Sequence, residues 1–352
     1  MLASVGCERA ITAGGLVLAL VTWEDEVANI GIAGVGAYVP ALAVSNSELE
    51  AVTGLRDAWV RDRIGVVTRR RLAPDESVTS MAVLAFLDAC RRSGISPSEV
   101  DMLVTSTNSP ERIMPGLGVA LMDAAGLDLG AIPVDVVGAG CAGAVGMLHL
   151  GARLVGPGAR TVAVVASEAS SRLMDTVDVR PGERLTTTIF GDGATCWLLR
   201  ECRADRGILF STSHTNPADN GKLALYGTDV HGFTMDAAAV KSFALREVPS
   251  LVSALETGSG FKAGDADLLL FHQANLRLIE AVLDGLDIPR ERTVTTVQDY
   301  GNTVSASVGI TAVRAADAGA LRPGALVFLA GFGAGWSTAG SVVRWCSPDD
   351  FA

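Results

Sequence analysis

The chain has 352 residues, 49% hydrophobic and 19% charged, which is material for one large or two medium globular domains and excludes a disordered chain. A formal net charge of −11 excludes nucleic acid or an anionic membrane as the expected partner. Six cysteines without a C-x-x-C pair, and four dispersed histidines, suggest neither a disulfide framework nor a zinc site, so no metal is expected and a reducing, cytoplasmic setting fits.

Ile11 to Val21 is apolar but too short to span a bilayer, and Glu24-Asp25-Glu26 follows where a signal peptide would show a small-residue cleavage site. Residues 1–29 therefore read as an accessory strand or an added extension of unknown role. The body begins with a strand at Ile30-Gly31-Ile32-Ala33-Gly34-Val35-Gly36, and Ser47-Glu48-Leu49-Glu50 reads as a capping box opening a short helix. Trp59 to Gly65 leads to Arg69-Arg70-Arg71, the strongest basic cluster, which reads equally as a solvated surface or a phosphate site. Ala82 to Cys90 has helical periodicity, Ser96-Pro97-Ser98-Glu99 is a helix-start signal, and a strand follows at Met102 to Thr107.

Val134 to Val137 is an apolar run short enough for a buried strand, and it ends in Gly138-Ala139-Gly140-Cys141-Ala142-Gly143, after which a small-residue helix reads through Val155. Cys141 sits at that strand-to-helix turn. The helix macrodipole and unpaired backbone N–H groups would favour a thiolate there and later an oxyanion, whereas the alternative is a small buried core cysteine. The same residues match G-x-G-x-x-G, a dinucleotide fingerprint for which Glu168 is the acidic candidate. Strands at Val162 to Ala166 and Cys196 to Leu199 flank the turn Phe190-Gly191-Asp192-Gly193-Ala194.

The second half repeats the first at a nearly constant offset. Ala266 to Phe271 echoes Val100 to Thr105, and Pro323 to Ala330 echoes Pro157 to Val164. Val294 to Gly301, Asn302 and the helix Thr303 to Ala312 echo Val134 to Gly140, Cys141 and its helix, which makes Cys141 and Asn302 expected counterparts. The second copy drops the glycines, which argues against a nucleotide fingerprint. Phe271-His272-Gln273-Ala274-Asn275 ends another strand, so Cys141, His272 and Asn302 would converge from matched strand ends on one pocket. Cysteine supplies a covalent nucleophile, and histidine and asparagine supply neutral donors to an oxyanion.

These stretches, with Gly301-Asn302-Thr303, Ser305-Ala306-Ser307 and Gly331-Phe332-Gly333-Ala334-Gly335-Trp336, resemble the ketosynthase III branch of the thiolase superfamily, the 3-oxoacyl-acyl-carrier-protein synthase III type, from about Ile30 to Trp345. The resemblance implies an α/β, thiolase-like five-layered αβαβα fold built from two duplicated halves, residues 30–200 with the nucleophile and 207–346 with His272 and Asn302. It also implies a homodimer in which Cys141 takes an acyl group from an acyl-coenzyme A. A malonyl thioester, on acyl carrier protein or coenzyme A, then loses carbon dioxide while His272 and Asn302 stabilise the enolate, which condenses with the acyl-cysteine. The backbone N–H groups of Cys141 and Ala334 would hold the oxyanion. Trp59 and Arg172 match the positions that hold the adenine of coenzyme A, Arg63 the pantetheine mouth, and Arg277 a carrier-protein contact. Met114 stands where a partner-subunit phenylalanine often caps the acyl pocket. The chain departs from the family pattern at Lys241-Ser242, where Phe then Lys or Arg is usual, and at Glu280 and Asp284, where lysines are usual.

No cofactor is implied beyond the coenzyme A thioester itself as substrate. Two alternatives stand beside condensation in fatty-acid or polyketide biosynthesis. One is a non-decarboxylating acyltransferase passing the acyl group to a hydroxyl or amine, and the other is a catalytically silent partner subunit.

Overall fold

Strand order and strand direction repeat between the two halves of the chain. In a computed structural model describing residues 10–13, 16–19, 29–174, 176–218, 220–225 and 232–351, the first sheet contains β1 (Ile30–Tyr38), β2 (Met102–Thr107), β3 (Val134–Val137), β4 (Thr161–Glu168) and β5 (Gly193–Glu201). Their spatial order is β1-β5-β4-β2-β3, with β2 parallel to β3 and β4, and β5 antiparallel to β1 and β4. The second sheet contains β6 (Gly207–Thr215), β7 (Leu268–Phe271), β8 (Leu326–Gly333) and β9 (Ser337–Arg344) in the order β6-β9-β8-β7. Only β7 and β8 are parallel there, so β1-β5-β4-β2 and β6-β9-β8-β7 are the same motif twice.

Five layers result. Helix α1 (Val78–Ser93) covers the outer face of the first sheet, α2 (Gly143–Leu154) and α5 (Ser307–Asp317) lie between the sheets, and α3 (Ala237–Ser259) with α4 (Leu276–Gly285) forms the outer layer beside the second. Helix α1 starts where the Ser77 hydroxyl accepts from the Ser80 N–H, and it buries Met81, Ala85, Phe86 and Ala89. The central helices must bury both faces. Val145, Leu148 and Ala152 of α2 and Val308 and Ala312 of α5 pack with Val164, Leu199, Val327 and Leu329 of the two sheets. A helix between two sheets has little room for long side chains, which is why both central helices are so rich in alanine and glycine.

Several expectations shift. Strand β3 is not buried: it is the outer edge of its sheet, with Val137 62% exposed, because only β2 flanks it. The expected counterpart of β3 is absent from the second sheet, since Val297–Tyr300 forms a helical turn. Counting from the first residue of each central helix, Cys141 precedes Gly143 as Ser305 precedes Ser307, so Ser305 rather than Asn302 is the counterpart of Cys141. The first capping box is Ser45 with Glu48, two residues earlier than expected.

The basic cluster is neither solvated nor a phosphate site at its centre. Arg69 lies on a short strand, Thr68–Arg71, and is fully buried, donating to the carbonyls of Thr188 and Val44 at 2.9 and 3.0 Å and to Asn46. Burial lowers its guanidinium to about 10. In the N-terminal region Ala10–Ala13 and Leu16–Ala19 pair with each other antiparallel, and the rest of the expected extension up to residue 28, with Cys7, lies outside the described residues, as does His231. Among the described residues no helix is long and apolar enough to cross a membrane, no group of His, Cys, Asp and Glu is placed to hold a metal, and the five cysteines are free thiols.

Candidate active site

After β3 the chain turns through Gly138 and Gly140, both with positive φ, and Cys141 lies in a short 3-10 turn, Gly140–Ala142, directly ahead of α2. Gly140, at φ +61, takes a conformation that a residue with Cβ resists. Its N–H donates to the Asn108 side-chain oxygen at 2.9 Å. The end of β8 closes over the other side: a Cβ on Gly333 would stand 2.7 Å from the Cys141 Cβ, so only glycine lets that strand pass the nucleophile. Ala334 follows, with its backbone nitrogen 3.3 Å from where a Gly140 Cβ would be, which brings a backbone N–H to the Cys141 turn.

The resting cysteine is a thiol. Burial first, and the Glu168 carboxylate second, push the Cys141 thiol well above its ordinary range, contrary to the expectation that the turn favours thiolate. Desolvation penalises the anion more than the end of a 12-residue helix, one 3-10 turn away, relieves it.

His272 follows β7 directly and is almost fully buried. Its backbone N–H donates to the Ala330 carbonyl at 2.8 Å, its Nδ1 bonds the Ser307 hydroxyl at 2.7 Å, and its ring meets the Phe332 ring edge-on with centroids 5.2 Å apart. Burial lowers the imidazole to about 3, and the Val304 carbonyl acts weakly in the other direction, so the ring is neutral at working pH. Asn302 is held by backbone bonds to Ile189 and Gly191, and its side-chain oxygen accepts from the Val304 N–H at 2.9 Å. That bond fixes the amide, leaving its NH2 as the donor end. The His272 ring and the Asn302 amide therefore meet at Val304, which shares one buried cluster with Cys141 and Phe332.

The expected substrate-contact residues divide. Trp59 and Arg63 are exposed on the helix Asp57–Arg63, and Arg277 joins them from α4 by donating to the carbonyls of Asp62 and Arg61 at 2.8 and 3.2 Å. Arg277 also pairs with Glu280 at 2.9 Å, and Arg290 pairs with Glu280 and Asp284, so the acidic face of α4 is partly neutralised from within. Arg172 pairs with Glu111 at 3.2 Å and bonds the Glu76 carbonyl; among the described residues no hydrogen bond or ring contact links it to Trp59. Met114 is 86% exposed on the loop before Leu117, beside Ile113.

Behind the site stand Asn108, which sequence reasoning missed, and Glu168 and Ser307, which it named without placing them there. Asn108, Glu168 and Ser307 bind one another or the site residues directly, yet they lie far apart in the chain. Glu168 is no ribose ligand; it is buried beneath the Cys141 turn. The one local signal was polarity at the end of an apolar strand, seen in Thr105 to Asn108 and again at Ser167-Glu168.

Comparison with known proteins agrees with this fold. The family model described as 3-oxoacyl-[acyl-carrier-protein (ACP)] synthase III matches residues 135–217, and the model of its C-terminal part matches residues 257–345. A beta-ketoacyl-[acyl-carrier-protein] synthase III of Xanthomonas campestris pv. campestris is 33% identical over 329 residues, covering 89% of this chain and 98% of the relative. That of Geobacillus kaustophilus is 33% identical over 318 residues, covering 90% and 98%. Among solved structures, the Thermus thermophilus synthase III superposes with a TM-score of 0.83 at 31% identity, over 90% of this chain and 99% of its own. The priming beta-ketosynthase of the R1128 polyketide pathway does so at 0.84 and 31%, over 93% and 99%.

Proposed function

The chain belongs to the 3-oxoacyl-[acyl-carrier-protein] synthase III family, and we propose that Cys141, His272 and Asn302 divide that family's condensation between them. The enzyme is a condensing acyltransferase of fatty-acid or polyketide biosynthesis.

In the first half-reaction the Cys141 sulfur attacks the carbonyl of an acyl-coenzyme A, and its proton ends on the coenzyme A sulfur as the new C–S bond forms and the old one breaks. The tetrahedral oxygen meets the N–H groups of Cys141 and Ala334, and the coenzyme A thiol departs. In the second, a malonyl thioester loses carbon dioxide. The electron pair of the broken C–C bond moves into an enolate whose oxygen accepts from His272 and from the Asn302 NH2. The enolate carbon attacks the acyl-cysteine carbonyl, and the Cys141 thiolate leaves and is reprotonated. What supports this division is the meeting of the His272 ring and the Asn302 amide at Val304: two neutral donors held in place. An imidazolium would give up its proton to the enolate, whereas an imidazole kept neutral by burial donates a hydrogen bond and keeps it.

Coenzyme A reaches Cys141 past Trp59 and Arg63, with Arg172 released from Glu111 to contact the adenine end, and carrier protein docks near Arg277. The chain needs no cofactor beyond its thioester substrates and works in the cytoplasm. It forms a homodimer by pairing the free edge of β3, with Met114 reaching the partner's acyl pocket; the exposed Val137 lies on that strand and Ile132 just ahead of it, while the exposed Ile113 and Met114 precede the helix Leu117–Ala125 that leads to it. The test is intact-protein mass spectrometry after exposure to a panel of acyl-coenzyme A donors, then after addition of malonyl-carrier protein. An acyl adduct on Cys141 that is consumed as 3-oxoacyl product and carbon dioxide appear is expected; an adduct untouched by the malonyl donor contradicts the condensation step.

A further inference from the structure

Between the Cys141 turn and the turn that follows Asn302 lies a buried carboxyl that the reaction as written does not use. Glu168 ends β4 with no exposure to solvent. Its oxygens accept from the Asn108 N–H at 2.9 Å, from the Asn108 side-chain NH2 at 2.7 Å and from the Ser305 hydroxyl. Asn108 in turn accepts the Gly140 N–H at 2.9 Å, immediately before Cys141. Ser305 belongs to the 3-10 turn Val304–Ala306, whose first residue bonds both the Asn302 amide and the His272 ring. A Cβ on Gly143 would lie 3.4 Å from the Ser305 Cβ, so the two turns are packed against each other.

We propose that Glu168 is a positioning residue for the nucleophile: it locks the turn carrying Cys141 to the turn following Asn302 and sets a carboxyl beside the cysteine. The proposal rests on reading Cys141 as the nucleophile. One side chain thereby couples the two duplicated halves at the point where their chemistry meets, and it does so through Ser305, the structural counterpart of Cys141 itself.

Electrostatics supports the second part. Among the described residues Glu168 is the charged group whose field acts on Cys141, and no cation faces the carboxyl. The groups around it are Asn108 from the end of β2, Ser305 from the turn before α5, Cys141, and Gly193 of β5, its strand partner. Desolvation raises the carboxyl to about 7, against the hydrogen bonds from Ser305 and Asn108 that favour its charge. Near neutral pH it is therefore partly ionised, and an ionised carboxylate opposes thiolate formation at Cys141. A buried thiol held this way resists adventitious alkylation and oxidation until a substrate carbonyl and its oxyanion donors are in place.

The test is the pH profile of Cys141 alkylation by iodoacetamide, followed by mass spectrometry in wild type, Glu168→Gln and Ser305→Ala, each checked for folding by circular dichroism. This readout needs no acyl donor, so it fails or succeeds independently of the condensation reading. Glu168→Gln removes the charge and is expected to move the alkylation midpoint down by about one pH unit, roughly a tenfold faster reaction at fixed pH below the midpoint. Ser305→Ala keeps the carboxyl, which is ionised well below the pH at which the thiol titrates, so its midpoint is expected to stay at the wild-type value. Should Glu168→Gln fail to fold, Glu168→Ala carries the charge test in its place. A midpoint that stays where it is in the folded Glu168 variant, or one that falls as far in Ser305→Ala, overturns the proposal and leaves Glu168 a packing residue.

Discussion

The Nδ1 of His272 and the hydroxyl of Ser307 lie 2.7 Å apart, and Ser307 is the first residue of the central helix α5. The same hydroxyl accepts the Gln273 N–H at 3.2 Å. The rigid start of a buried helix thus sets the rotation of an imidazole that leaves the second sheet, so the donor's direction is built into the layer packing.

Ser307→Ala should accordingly slow malonyl decarboxylation more than acylation. Loss of one orienting hydrogen bond, about 1–1.5 kcal/mol, corresponds to roughly tenfold. Stopped-flow acylation and carbon dioxide release measured on the same preparation check this, and equal slowing of both would contradict it.

Acid stability should carry the mark of buried histidines. His272 is lowered to about 3 and His149, bonded to Gly340 and Ser341, to about 4. Below their unfolded value near 6.5 the unfolded chain binds protons that the folded chain refuses, so stability present above 6.5 is lost as pH falls towards 3 to 4. Glu168, raised to about 7, works oppositely: its contribution is present below its unfolded value and lost as pH rises through 7. Denaturant unfolding of His149→Gln between pH 4 and 7 should show a shallower pH slope than wild type. An unchanged slope would exclude His149 as a cause.

Arg69 offers a test of the interior. Arg69→Met fills a similar volume but leaves the Val44 and Thr188 carbonyls and the Asn46 oxygen without their donor. Unsatisfied buried acceptors cost about 1–3 kcal/mol each, so a loss of at least ~3 kcal/mol is expected in urea unfolding. A variant as stable as wild type would show that these bonds contribute little.

The edge of β3 tests the dimer. Val137→Glu places a charge on the exposed end of that strand and should shift sedimentation from dimer to monomer at micromolar concentration while the far-UV spectrum stays as in wild type. A dimer of undiminished stability would place the interface elsewhere.

What was readable in the sequence follows the range over which its causes act. The strand-to-helix turn at Cys141, the strand ending at His272 and the repeat of βα units are local patterns of apolar period and small residues, and they lie where the pattern puts them. Strand β3 misled because an apolar run does not reveal whether a second neighbour will flank it. Arg69 misled for the converse reason: three adjacent charges look solvated, and only partners from residues 44, 46 and 188 make burial possible. The Asn302 register slipped because the second copy replaces a strand by the turn Val297–Tyr300, which moves Asn302 ahead of the position Cys141 holds. Asn108 and Glu168 converge from different strand ends, and no local pattern records a meeting of that kind.

The most direct test of the account separates the two half-reactions in Cys141→Ala, His272→Ala and Asn302→Ala by intact mass after acyl-coenzyme A and by carbon dioxide release from malonyl-carrier protein. The account predicts no acyl adduct in Cys141→Ala. In the other two it predicts a near-normal adduct, with decarboxylation reduced by about a hundredfold or more, the scale on which losing an oxyanion donor acts. Equal loss of acylation and decarboxylation in His272→Ala and Asn302→Ala, or an acyl adduct persisting without Cys141, would contradict it.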